Sequence, residues 1–379
     1  MKFFRDHINQ NIKTGYRVCG DYCLCERSSI GTLFLLCDGI GSGIYANVAA
    51  ISCAERIMEM YNLGLSLSHA SETVASSMHR ARTEDIPFSA FSVALIRPDG
   101  QFVIYSYEAP PPILIRNDVA KVLEPRFYTV DYEVLGETPG KLEIRDSLLL
   151  SSDGVTQAGM GRGYSFGITS EGVANFINKN HKGGEDIPTL SKKITDMCRS
   201  LSGDRHEDDT TLAAIDCVEA KELTILTGPP SKKSLDGPYA RSLLEATGKK
   251  IVCGSTTADI VARELGLNLE MINIDANLGM PPEYSLEGMD LVAEGAITLN
   301  QVYNVLEDPI DQFQESVVKK FCVLLREADV IRFKVGTAVN EAHESLIFKQ
   351  LGVRVRKNSL RMLCEKLRAM GKLVLEQYY

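Results

Sequence analysis

The chain has 379 residues, 44% hydrophobic and 24% charged, with 41 Lys and Arg against 50 Asp and Glu and a net charge of −9. This is ordinary globular composition, enough for roughly two or three domains; it excludes a disordered or fibrous chain, and its acidic balance argues against a general nucleic-acid binder. No apolar run reaches the roughly 20 residues that span a bilayer. The opening Met1-Lys2-Phe3-Phe4-Arg5 lacks the apolar stretch of a leader. Ten dispersed cysteines, several inside apolar runs (Cys37, Cys217, Cys253), suit reduced core thiols. A cytoplasmic protein that binds neither membrane nor nucleic acid is expected.

In chain order, residues 33–37 form a short, wholly apolar run and predict a buried strand. Residues 46–61 predict a helix with Val48, Ile51, Ala54 and Met58 on one face; residues 67–83 predict a second. Strands at 91–97 and 101–107 flank the turn Pro98-Asp99-Gly100. A strand at 147–151 and a helix at 188–201, opened by Pro188, follow. The run 211–217 closes an α+β block rich in antiparallel pairs. The connector 218–221 is too short for a flexible tether, so two packed domains are expected, 1–219 and 220–379. In the second, strands at 222–227, 250–253 and 269–274 alternate with helices at 238–247 and 257–265. Further strands at 289–293 and 329–335 have helices nearby. This alternation predicts a smaller α/β domain with a mostly parallel sheet.

The chemistry is concentrated in aspartates. Two apolar runs end in Asp-Gly, at Asp38-Gly39 and at Asp153-Gly154. Asp21 follows Gly20, and Asp208-Asp209 precede Thr210-Thr211. Asp-Gly by itself is turn chemistry, as Asp99-Gly100 illustrates. Asp38 differs: Gly39-Ile40-Gly41-Ser42-Gly43 and then a helix follow it, with no returning strand. Four such acids together favour a site for hard divalent cations, which prefer oxygen ligands. Two ions would neutralise the carboxylates, clamp a phosphate group and activate a water.

These residues resemble the metal-dependent, type 2C serine/threonine protein phosphatases, in particular their SpoIIE-like branch. The matching pieces are Gly20-Asp21, Asp38-Gly39-Ile40-Gly41-Ser42-Gly43, Pro110-Pro111-Pro112-Ile113-Leu114, Ser152-Asp153-Gly154-Val155-Thr156, Phe166-Gly167 and Asp208-Asp209-Thr210-Thr211, spread over about residues 15–217. The resemblance implies a β-sandwich of two antiparallel sheets flanked by helices, with Mn²⁺ or Mg²⁺ in a cleft at one end. It implies that Asp38 bridges two ions and is the key catalytic group. It also implies that the Gly39 carbonyl completes one shell and that Asp21, Asp153 and Asp208 hold the other ion. Asp209 is given the lesser part. The implied substrate is phosphoserine or phosphothreonine on a regulatory protein. The chain departs from the family at Ser42, where a His or Lys is usual, and at Tyr107-Glu108-Ala109, where Ala-Gly-His is common.

The second block offers less. A strand at 250–253 enters Gly254 and then Ser255, Thr256 and Thr257 at a helix start. These could bind an anionic small molecule or simply cap the helix. Cys19, Cys23 and Cys25 fall on one face of a strand and fit core packing better than zinc. Two alternatives stand beside the phosphatase reading. One is a catalytically weak binding protein that keeps the fold. The other is a regulator whose C-terminal block binds a nucleotide or metabolite.

Overall fold

A computed structural model describes residues 1–84, 86, 88–181, 183–272, 281–338 and 356–379. The chain divides into two compact units, Met1–Glu26 with Ile30–Glu219 and Arg27–Ser29 with Ala220–Tyr379.

Unit 1 begins with β1 (Lys2–Asn11), β2 (Asp21–Arg27) and β3 (Thr32–Gly39), followed by helices α1 (Ile44–Asn62) and α2 (Leu67–Thr83). Strands β4 (Ser89–Ile96), β5 (Gln101–Tyr107), β6 (Ile113–Arg116), β7 (Val119–Val122), β8 (Arg126–Val130), β9 (Glu133–Lys141) and β10 (Ser147–Ser151) come next. The short α3 (Asp153–Thr156), then α4 (Thr169–Asn180), α5 (Ile187–Leu201) and β11 (Thr210–Glu219) complete it. Two sheets result, ordered β1-β11-β10-β6-β7 and β2-β3-β4-β5-β9-β8. The paired strands with a recorded register are antiparallel in both.

Phe4, Phe34, Leu36, Ile104, Leu148 and Ile215 fill the space between the sheets, with Cys23 and Cys25 packed against them. The outer face of one sheet is covered by α1 and α2, through Cys53, Ile57 and Val74. The other is covered by α4 and α5, through Ile177, Leu190 and Ile194. Strand β3 is therefore apolar on both sides, and β2 delivers Asp21 next to its end. The turn at 98–100 forms as expected, with the Gln101 N–H donating to Asp99 Oδ1 at 2.9 Å. Asp186 caps α5 by accepting from the Thr189 N–H at 2.8 Å.

The helix at 46–61 forms, and its buried face is partly the expected one, since Ala54 and Met58 are buried. Val48 is 55% exposed and Ile51 half-buried, while Ala46, Ala50, Cys53 and Ile57 join Ala54 and Met58 on the buried face. Small residues let α1 approach β3 so closely that a Cβ on Gly39 would overlap the backbone carbonyl of Ala46. A hydrophobicity count favours the large residues and misses that requirement.

Unit 2 contains β12 (Glu222–Thr227), α6 (Asp236–Leu244), β13 (Lys249–Cys253), α7 (Ser255–Leu265), β14 (Leu269–Met271), β15 (Glu283–Leu286) and β16 (Leu291–Ala293). Helices α8 (Ala296–Val305) and α9 (Val317–Glu327), β17 (Val330–Val335), α10 (Arg356–Ala369) and β18 (Leu373–Tyr378) follow. The sheet runs β14-β15-β16-β13-β12-β17-β18. Strands β16, β13, β12, β17 and β18 are parallel, while β14 and β15 are antiparallel. The strand expected at 269–274 is found at Leu269–Met271; residues 273 and 274 lie outside the described residues. Leu299, Phe321 and Leu363 pack on one face of the sheet, and Tyr239, Leu243 and Val261 on the other. None of the ten cysteines forms a disulfide, and all but Cys23 and Cys25 are buried.

Candidate functional site

Each of the four acids sits where a strand begins or ends. Asp21 is the first residue of β2 and is 2% exposed. Asp38 is the penultimate residue of β3, just before Gly39. Asp153 opens α3 directly after β10, and Asp208 lies in the loop before β11. The antiparallel pairing of β10 with β11 brings the last two to the same end of the sandwich.

Electrostatics show how closely they meet. Burial raises the Asp38 carboxyl well above the ordinary carboxylate range, and the charges of Asp21, Asp153 and Asp208 raise it further. Burial raises Asp21 too, eased by the Thr211 and Ser152 hydroxyls and opposed by the charge of Asp209. Asp153 is raised by burial and by Asp208, with Lys13 easing it. Both carboxylate oxygens of Asp21 are buried, and although the Thr211 and Ser152 hydroxyls are near enough to ease the carboxyl, neither oxygen has a hydrogen bond of good geometry among the described residues. Leaving such a group unpaired is costly, and oxygen donors of this kind suit a hard divalent cation. The residues present therefore fit the expected ions chemically. Their side chains are not preassembled around one point: among the described residues no group of three or more His, Cys, Asp or Glu is placed to hold an ion.

Asp209 has a different task from its neighbour. It is 4% exposed. Its Oδ1 accepts from the Lys13 N–H at 2.9 Å, and its Oδ2 from the Gly20 N–H at 2.8 Å. One carboxylate thus fastens both ends of the loop that delivers Asp21. Strand alternation assigns Asp209 the lesser part, but burial and two backbone bonds make it an anchor. Asp209→Ala is expected to cost about 3 kcal/mol of stability, since two N–H groups lose a charged acceptor. Denaturant unfolding checks this; a change below about 0.5 kcal/mol would refute the anchoring role.

Two residues at the site have no motif to announce them. Gln157 Nε2 donates to Asp153 Oδ2 at 2.8 Å and orients that carboxylate. Lys13 Nζ lies 3.0 Å from Ser42 Oγ and 3.5 Å from Asp208 Oδ1. It places a cation beside the position where the resembled family usually carries His or Lys. A cavity of about 170 Å³, lined by Gly154, Gln157, Met160, His206 and Asp208 among others, opens alongside. Burial and the charge of Arg199 hold His206 below the usual imidazole range. Arg162 pairs with Glu207 at 3.1 Å. Ser255, Thr256 and Thr257 belong to unit 2, at the start of α7; the first two are exposed and Thr257 is buried.

Two antiparallel sheets packed face to face and flanked by helices are the architecture that the resemblance to the type 2C phosphatases implies. The family model of Stage II sporulation protein E (SpoIIE) matches residues 29–218. The chain belongs to the SpoIIE family. Similar solved structures include the phosphatase domain with a regulatory fragment of SpoIIE from Bacillus subtilis. That likeness has 16% identity and a TM-score of 0.49, over 57% of this chain and 64% of that one. This chain thus spans less than two thirds of that structure. Another is the RsbU and RsbW domains of Rv1364c from Mycobacterium tuberculosis, with 15% identity, a TM-score of 0.48, and coverage of 64% and 67%. A third is RsbX in complex with magnesium, with 14% identity, a TM-score of 0.41, and coverage of 56% and 95%. No curated protein matches the sequence. Among the described residues, no helix is long and apolar enough to cross a membrane.

Proposed function

We propose that residues 1–219 form a domain that hydrolyses phosphoserine or phosphothreonine on a regulatory protein in the cytoplasm. We further propose that residues 220–379 form a separate sensing or docking domain. The observation that carries the phosphatase reading is Asp21, whose two buried oxygens lack hydrogen bonds of good geometry among the described residues beside the clustered charges of Asp38, Asp153 and Asp208. Asp21, Asp38, Asp153 and Asp208, with the Gly39 carbonyl, would hold two divalent cations, Mn²⁺ or Mg²⁺. When bound, such ions supply an activated water and neutralise the phosphoryl oxygens.

The remaining work falls to the chain's own side chains. Asp38, on which the charges of Asp21, Asp153 and Asp208 all act, would be the acid shared by the two ions. Asp209 holds the loop that presents Asp21, and Gln157 fixes the rotamer of Asp153. Lys13 offers a cation to the phosphoryl group from the side of Ser42. No cysteine or histidine nucleophile is needed.

The direct test is hydrolysis of a phosphoserine peptide by the full chain. Turnover should require Mn²⁺ or Mg²⁺, stop with chelator and return when the ion is restored. A folded chain with no turnover in excess Mn²⁺ would favour a binding protein that keeps the fold. Lys13→Met is expected to lower kcat/KM about tenfold, mostly through KM, as for one lost charge-assisted hydrogen bond. Unchanged steady-state kinetics would remove Lys13 from the substrate's path.

A further inference from the structure

Unit 2 gathers a second set of groups at the carboxyl ends of its parallel strands. Counted in chain order, these strands stand third, second, first, fourth and fifth across the sheet. In such sheets ligands bind outside the strand ends, where the order reverses about the first strand. Here β12 ends at Thr227, β13 at Cys253 and β16 at Ala293. The last two lead into helices through one repeated pattern, Gly254-Ser255-Thr256-Thr257 and Gly295-Ala296-Ile297-Thr298.

The two helix starts are neighbours. The Gly254 N–H donates to the Ala293 carbonyl at 2.7 Å. A Cβ on Gly295 would stand 3.3 Å from the Gly254 Cα. Gly254 has φ +125°, a conformation that glycine alone adopts readily. Its lack of a side chain leaves the start of α7 uncapped, with Ser255 and Thr256 exposed. The start of α8 is different, because Glu294 Oε2 already accepts from the Ile297 N–H at 3.2 Å. The free positive helix end is therefore that of α7.

Independent signs of a missing partner surround it. Thr257 is 1% exposed, and Thr227 and Thr298 are 0% exposed. None of their hydroxyls has a hydrogen-bond partner among the described residues. Thr257 Oγ1 is turned toward the helix start, 3.0 Å from where a Gly254 Cβ would be. Arg356, at the start of α10, packs its guanidinium over Gly228 and donates to the Gly336 carbonyl at 2.9 Å. It has no carboxylate partner among the described residues. Burial is the main cause holding Arg356 below its ordinary pKa. Thr227 pairs with Cys253 on one side and with Val335 on the other, so Gly228 and Gly336, under Arg356, lie at the same strand ends as Gly254 and form a crevice with it.

We propose that this crevice binds the phosphoryl group of a small phosphorylated molecule, between the start of α7, Thr257 and Arg356. The helix end supplies N–H donors, Thr257 a hydroxyl and Arg356 the countercharge. Glu294, one strand away, accepts a hydroxyl or amine of the same ligand.

The test uses inorganic phosphate and the full chain carrying Asp38→Asn, in chelator, so that unit 1 cannot compete. Calorimetry and backbone amide NMR are read together. Saturable binding with shifts at the Ser255 and Thr256 amides is expected. Arg356→Met should weaken it about tenfold or more, and Thr257→Val should weaken it measurably. If either variant misfolds by circular dichroism, the amide shifts of the parent chain decide. Absence of those shifts at saturating phosphate overturns the site, as does unchanged affinity in both folded variants. Neither result bears on hydrolysis by unit 1.

Discussion

Asp38→Asn is expected to abolish metal-dependent hydrolysis while raising the melting temperature of the metal-free chain. The activity loss follows from position. Asp38 is the carboxylate on which the charges of Asp21, Asp153 and Asp208 all act. Removing its charge unlinks the ligand groups, and a loss of about a thousandfold, or ~4 kcal/mol, is expected. The stability gain follows from linkage. Without metal, the folded chain raises the Asp38 carboxyl, and to a lesser degree Asp21, above the unfolded value of about 4. The native state then holds protons that the unfolded chain has released, so stability falls as pH rises from about 4. Asn carries no such proton, and the variant should pull ahead of the parent at pH 8 while matching it near pH 4. Mn²⁺ should restore the parent by mass action and do little for the variant. Thermal unfolding at both pH values, with chelator and with Mn²⁺, reads all of this. Normal turnover by the folded variant would sink the assignment.

Gly39→Ala should be nearly as damaging, for steric reasons. The added methyl would overlap the carbonyl oxygen and carbon of Ala46, which are backbone atoms of α1 and have no rotamer to retreat into. Helix and strand must separate, at a cost of about 3 kcal/mol. The displaced strand end carries Asp38, so activity should fall with stability. Ala46→Gly should fail to rescue the double variant, because the clash is with the main chain. Rescue would show that side-chain crowding was the cause.

Much of this was legible in the sequence because it was local. Residues 33–37 are apolar throughout, and β3 is buried on both faces; the Asp-Gly that ends it could be found by reading along the chain. The four acids, the hairpin at 98–100 and the helix behind Pro188 are legible in the same way. Strand β9 was not. It reads Glu133-Val-Leu-Gly-Glu-Thr-Pro-Gly-Lys141, with residues that usually end strands. Pro139 is tolerated because the pairing of β8 stops at Glu137. Gly140 is required because the Phe102 ring occupies the space of its Cβ. Both reasons lie in other strands. Lys13 was invisible for the same cause: its approach to Ser42 and Asp208 depends on how the chain returns between β1 and β11. The Gly-x-x-Thr pattern at 295–298 was readable, as a repeat of 254–257, but each copy alone looks like an ordinary cap.

The buried cysteines make the two units separately observable. Burial pushes the Cys198 and Cys217 thiols of unit 1 up to about 12 and about 11. It does the same for Cys364 and Cys322 of unit 2, to about 12 and about 11. Alkylating reagents attack the thiolate, so at these four cysteines a closed unit stays silent and an opened one is marked. A brief pulse of reagent followed by peptide mass spectrometry would therefore time the opening of each unit on its own. It needs no introduced label, and it can be repeated in Mn²⁺ or in phosphate to learn which unit each of them protects.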